Sequence, residues 1–113
     1  MIRIKRIYAP PQKTDGRRIL VDRLWPRGIS KDEAGIDEWL KEIAPSDELR
    51  TWFGHDPARW EEFRSRYREE LQGHAEILAR LRTEARQGTV TLLFAAKDEE
   101  HNNAVVLKEL LTG

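Results

Sequence analysis

The stretch TVTLLFAAKDEEHNN, residues 89–103, opens with eight residues that carry no charge and closes with a polar cluster. Thr, Val, Leu and Phe suit a pleated surface, and the apolar run lacks the alternation of a strand with one wet face. Residues 89–96 therefore read as a central strand covered on both sides. A second short apolar run, Ile19-Leu20-Val21, lies upstream and ends in Asp22, Arg23 and Leu24. Helical patterning separates the two runs. A strand, a helical crossover and a second strand make a βαβ unit, whose strands are parallel and joined by a right-handed connection. Both strands then end on the same edge of the sheet. The fold expected is α/β, with a short, mainly parallel sheet flanked by helices.

The remaining segments fit around that unit. Ile2, Ile4 and the Ile7-Tyr8 pair suggest a first strand, stopped by Ala9-Pro10-Pro11. Its direction stays open, because the loop after it is shorter than a usual helical crossover. Lys13-Thr14-Asp15-Gly16 is turn chemistry. Ser30-Lys31-Asp32-Glu33 starts a short helical turn, and the spacing of Ile36, Trp39, Leu40 and Ile43 predicts a helix that stops before Pro45. Ser46 is placed to cap the next helix, which carries Leu49, Trp52 and Phe53 and ends at Gly54. Asp56-Pro57 repeats the start signal ahead of Trp60, Phe63, Tyr67 and Leu71. The stripe resumes at Ile77, Leu78, Leu81 and Ala85, and Gly73 is expected to break it. Val105, Val106, Leu107, Leu110 and Leu111 mark a last helix.

A chain of 113 residues with 39% hydrophobic side chains is expected to form one domain, residues 1–113, around a single core. It holds no cysteine, which excludes disulfides, thiolate nucleophiles and the usual structural zinc sites. Its three histidines, His55, His74 and His101, are too scattered for a typical catalytic metal site, so neither metal nor cofactor is expected. Without a leader pattern or a membrane-length apolar stretch, the expected location is cytoplasmic, with no membrane partner.

Lys plus Arg and Asp plus Glu both number 20, and that balance argues against generic binding to nucleic acid. The balance hides an asymmetry. Residues 1–31 carry nine basic and two acidic side chains, so the front of the chain is the anion-seeking part. Most of those cations are arginines, whose planar forks suit phosphate and carboxylate. Salt bridging to the acidic helices is the competing explanation.

Open α/β sheets bind ligands beyond the carboxyl ends of their strands. Two polar clusters fall there: Asp22, Arg23, Trp25, Arg27, Ser30 and Lys31 after one strand, and Lys97, Asp98, His101, Asn102 and Asn103 after the other. A phosphate-bearing small molecule or nucleotide held by Arg23, Arg27 and Lys97 is the expectation, with Asp22, Asp98 and Asn103 orienting the cations. Arg50 is placed to reach the same pocket. Trp25 is expected to serve mainly as a core plug. Asp98 is expected to cap the last helix, although with His101 it forms a possible acid–base pair. Turnover would need a general base, and Asp22 and Asp98 are the candidates; the catalytic residues stay unassigned. The paired carboxylates Glu61-Glu62 and Glu69-Glu70 fit a solvated helix face. No glycine-rich phosphate loop, nucleophile elbow or HExxH is present. The alternative is a nucleic-acid-associated or protein-interaction module that uses the basic first third, through Arg3, Arg6, Arg17 and Arg18.

At VDRLWPRGISK, EWLKEIAPSDELRTWF, FRSRYREEL and VTLLFAAKDEEHNNAVVLKELL the chain resembles the YeaO-like family of uncharacterised bacterial proteins, over essentially its whole length. The resemblance implies a small cytosolic α/β protein and carries over Asp22, Arg23, Trp25, Pro26, Arg27, Gly28 and Lys31, then Pro45, Ser46, Leu49 and Arg50. It further carries over Tyr67, Leu71, Lys97 and Asn103. The broader superfamily has a Cys-His-Arg element after the last strand. Here that stretch is Glu100-His101-Asn102-Asn103-Ala104, without the thiol.

Overall fold

Val90–Phe94 forms strand β4, and every residue in it is buried. Three further strands, β1 (Ile2–Arg6), β2 (Arg17–Leu20) and β3 (Glu38–Trp39), complete a sheet of order β1-β4-β2-β3 in which every pairing is parallel. The computed structural model describes residues 1–112. Its helices are α1 (Lys31–Ala34), α2 (Asp47–Phe53), α3 (Trp60–Leu71), α4 (Ala75–Gln87) and α5 (Asn103–Thr112). Among the described residues, no helix is long and apolar enough to cross a membrane. The fold is α/β, with β4 as the central strand.

Alternation along β4 divides the interior in two. Val90, Leu92 and Phe94 pack into the larger core with Phe63, Tyr67, Leu71 and Leu81 from α3 and α4 and Leu107 from α5. Leu93 points the other way, to Ile7, Leu20 and Ala34, with Trp25, Ile29, Ile36 and Trp39 packed around them. Helices cover the first face, whereas loops and the single turn of α1 cover the second. Both faces are dry, which is what an uncharged strand requires.

The first strand is parallel to the rest, although only residues 7–16 link it to β2. The link holds one 3-10 turn, Lys13–Asp15, and passes from one side of β4 to the other. Buried charge anchors it. Asp15 is closed to solvent just beneath the surface, with Arg18 Nη1 at 2.6 Å and Lys5 Nζ at 3.1 Å from its Oδ2. Burial alone would push the Asp15 carboxyl up. The Gln12 N–H and the Lys5 and Arg18 side chains outweigh it and hold the group below its ordinary value. The buried Arg18 guanidinium also donates to the carbonyls of Ala34 and Gly35, fastening α1 to the sheet. Gly16 closes the turn at φ +63°, where a Cβ would stand 2.1 Å from the Thr89 carbonyl oxygen. Only glycine fits there.

The segment around Ile36 departs from its helical spacing. Residues 38–39 pair with β2 instead, framed by hydrogen bonds from Asp37 N–H to Arg18 O and from Leu40 N–H to Leu20 O, and a 3-10 turn, Lys41–Ile43, follows. The apolar residues that mimic one helical stripe are split between the two cores: Ile36 and Trp39 on one face, Leu40 and Ile43 on the other. The open edge of β2 supplies hydrogen-bond partners that local periodicity does not reveal.

Elsewhere the local signals act as their chemistry predicts. Ser46 Oγ accepts the Leu49 N–H at the start of α2, and Gly54 ends that helix in the left-handed region. Gly73 lies in the 3-10 turn Gln72–His74 that separates α3 from α4. The cap of α5 is Asn102, whose Oδ1 accepts the Val105 N–H. Asp98, expected in that role, instead closes the turn before the helix by accepting the N–H groups of Glu100 and His101. The last helix begins one turn later than the position of Asp98 suggests.

Candidate functional site

The parallel strands bring their carboxyl ends to one edge, and a cavity of about 680 Å³ opens there. β2 supplies its first wall, Asp22 to Arg27, and β4 its second, Ala95 to Asp98; the start of α5 and the end of α2 complete it. Of the residues singled out in the sequence, Asp22, Arg23, Trp25, Arg27, Arg50, Lys97, Asp98 and Asn103 line this cavity. Lys31 does not. It sits exposed at the first position of α1, after the Gly28 turn has carried the chain over the second face of the sheet.

Asp22 forms the floor. Its Oδ2 accepts the Ala95 N–H at 2.9 Å and its Oδ1 the Asn103 amide at 3.1 Å, and the same amide donates to the Val21 carbonyl at 2.8 Å. These bonds join the ends of β2 and β4 to the first residue of α5. Burial pushes the Asp22 carboxyl up, against the pull of the Ala95 N–H, the Asn103 amide, His55 and Arg50. No arginine pairs with it among the described residues.

The cations differ in their freedom. Arg23 donates through Nε to the Pro45 carbonyl at 3.1 Å and through Nη2 to the Ala44 carbonyl at 3.3 Å, so it braces the wall. Tyr67 holds the Ile43 carbonyl and Glu70 grips Ser46 through both its N–H and its hydroxyl, so residues 43–46 are held at four consecutive positions. Arg50 is exposed and pairs with Asp47 at 3.1 Å, a contact weak enough in water to be exchanged. Arg27 and Lys97 are exposed, and among the described residues neither side chain has a hydrogen-bond or ion-pair partner; Arg27 accepts a bond only through its carbonyl, from Tyr8. Arg6, at the end of β1, donates to the carbonyls of Ala95 and Ala96 and holds the second wall.

Trp25 packs in the core and also reaches the cavity. It is half-buried against the second core, edge-on to Trp39 at 5.4 Å, with its indole N–H on the Ile29 carbonyl, and it still lines the cavity. Asp98 and His101 do pair, Oδ2 to Nδ1 at 2.8 Å, and the His101 hydrogen bond holds the Asp98 carboxyl below its usual range. The His101 ring packs edge-on to Trp60 and is not part of the cavity wall.

Sequence reasoning missed the aromatic side of the site. Phe53 and Phe63, stacked at 4.3 Å, face into it, and so does His55, at φ +57°. In the sequence the two phenylalanines are ordinary core positions of amphipathic helices. The signal for His55 is only that it directly follows a helix-ending glycine.

The basic first third is mostly engaged within the fold. Arg18 is buried on Asp15, Arg17 pairs with Glu38 at 2.7 Å and Glu84 at 2.8 Å, and Arg6 is bound to backbone. A model of the family described as "Inactive DUF488-N3 subclade" matches residues 1–113. The chain belongs to that subclade. Among other members of the YeaO-like group, the uncharacterised protein YeaO of Escherichia coli (strain K12) is 46% identical over 110 residues, covering 97% of this chain and 96% of its own. An uncharacterised protein of Mycobacterium tuberculosis (strain H37Rv) is 45% identical over 112 residues, covering 99% and 94% respectively. No solved structure matches.

Proposed function

We propose that this chain is a binding protein for a phosphate-bearing small molecule or nucleotide, held at the carboxyl ends of β2 and β4. The observation that carries the reading is the pair of unpartnered cations, Arg27 and Lys97, on the rim of a cavity large enough for a mononucleotide. Arg50 adds a third cation whose present partner is easily released. Arg17, Arg18 and Arg64 are engaged by carboxylates, whereas among the described residues Arg27 and Lys97 have no hydrogen-bond or ion-pair partner. Arg23 serves the wall, so the anion falls to Arg27 and Lys97, with Arg50 on the lining of the same cavity. The description of the family as inactive supports binding over turnover.

Thermal melting and calorimetry with inorganic phosphate, ribose 5-phosphate and the common mononucleotides test this. Phosphate compounds raise the melting temperature of the wild-type protein, and an Arg27→Ala/Lys97→Ala double variant loses the effect while keeping its own melting temperature. No response to any of these compounds overturns the reading. Binding to duplex DNA that weakens steeply with salt and survives the double variant would favour the basic-face alternative.

A further inference from the structure

The cavity is polarised. Its floor carries a carboxyl, Asp22, while its cations Arg27, Arg50 and Lys97 are all exposed at the mouth. A bare phosphate pushed to the floor would meet a carboxylate, so the anionic end of any guest belongs at the rim. What the floor asks for is a donor. An ionised carboxyl has about four acceptor sites, two on each oxygen. The Ala95 N–H occupies one on Oδ2 and the Asn103 amide one on Oδ1, which leaves one on each oxygen without a partner among the described residues. The apolar part of the lining includes the Phe53–Phe63 stack, Trp25, Ala95 and Ala96, beside the polar His55 and Asn102.

We propose that the guest inserts a planar heteroaromatic ring with two adjacent N–H donors on its leading edge, as guanine has, onto the two oxygens of Asp22, with its phosphate at Arg27 and Lys97. This rests on the phosphate-ligand reading above and adds the identity of the other end. Adenine and cytosine present one amino donor beside a ring nitrogen whose lone pair faces the second carboxylate oxygen, so they fit less well. Hypoxanthine has the ring N–H but lacks the neighbouring amino group. A free guanidinium compound would satisfy Asp22 yet meet like charge at the mouth. The pinned geometry of Asp22 makes the edge selective, because a partly buried acceptor left without its donor is costly.

Calorimetry on the unmodified protein with GMP, IMP, AMP, CMP and ribose 5-phosphate tests it. GMP is expected to bind about tenfold or more tightly than IMP, AMP or CMP. Asp22→Asn, checked for folding by its melting curve, is expected to bring the affinities for GMP and IMP to within about twofold of one another. Equal binding of GMP and IMP, with ribose 5-phosphate still bound, overturns the donor-edge assignment and leaves the phosphate site standing. If neither ribose 5-phosphate nor any nucleotide binds, the phosphate site itself is lost. Preference for AMP or CMP over GMP also overturns the assignment.

Discussion

The amide of Asn103 lies 3.1 Å from Asp22 Oδ1 and 2.8 Å from the Val21 carbonyl, so one side chain at the start of α5 closes the end of β2. Residues 81 positions apart thereby set the floor of the cavity. Replacing Asn103 with Ala leaves two partly buried acceptors without their donor. The expected cost is about 1–3 kcal/mol, seen as a lower urea midpoint, together with a further upward shift of the Asp22 carboxyl in a carboxyl-carbon NMR titration.

Asp15 and Asp22 are expected to oppose one another in acid. The folded Asp15 value is lowered, so its contribution to stability is complete above the ordinary value of 3.8 and disappears as pH falls through the lower folded value. Asp22 is raised, so its contribution is present below 3.8 and is lost as pH rises through the higher folded value. Urea midpoints between pH 7 and pH 2.5 therefore show Asp15→Asn converging on wild type at the acid end. Against Asp22→Asn, the wild type gains ground as pH falls.

Removing the anchor of the β1–β2 link is more damaging than removing a rim cation. Asp15→Ala leaves the buried Arg18 and the nearly buried Lys5 without their carboxylate, at an expected cost of about 3 kcal/mol. Arg27→Ala and Lys97→Ala break no side-chain hydrogen bond or ion pair among the described residues and are expected to stay within about 0.5 kcal/mol of wild type. Chemical denaturation of the three variants in one buffer checks the ordering.

Two glycines separate backbone strain from collision. Gly28 adopts φ +77° with no atom within 4 Å of the place a Cβ would take, so Gly28→Ala carries only the left-handed penalty of about 1–2 kcal/mol. Gly16→Ala adds a clash with the Thr89 carbonyl at the edge of β4 and is expected to lose folded protein in a thermal melt where Gly28→Ala does not.

The central strand is legible in the sequence because burial on both faces forbids charge, and residues 89–96 carry none. Helix ends are legible at Ser46, Gly54 and Gly73 because caps and breakers act on their own backbone neighbourhood. The 36–43 segment misleads for the converse reason. Its apolar spacing satisfies a helix locally, and only the vacant edge of β2 turns it into a strand. The direction of β1 is likewise hidden, since the crossing of residues 7–16 depends on Asp15 meeting Arg18 and Lys5 beneath the surface.

The sequence by itself determined the α/β class, the central strand and the two polar clusters that follow parallel strands, because these rest on burial patterns and on chain direction. Only the tertiary structure decided which cations are free. Arg6, Arg17, Arg18 and Arg23 look the same as Arg27 in the chain, yet carbonyls and carboxylates from distant segments engage the first four and leave Arg27 open. The aromatic wall and the carboxyl floor were also decided there, since a cavity is made by segments that meet only when the sheet assembles.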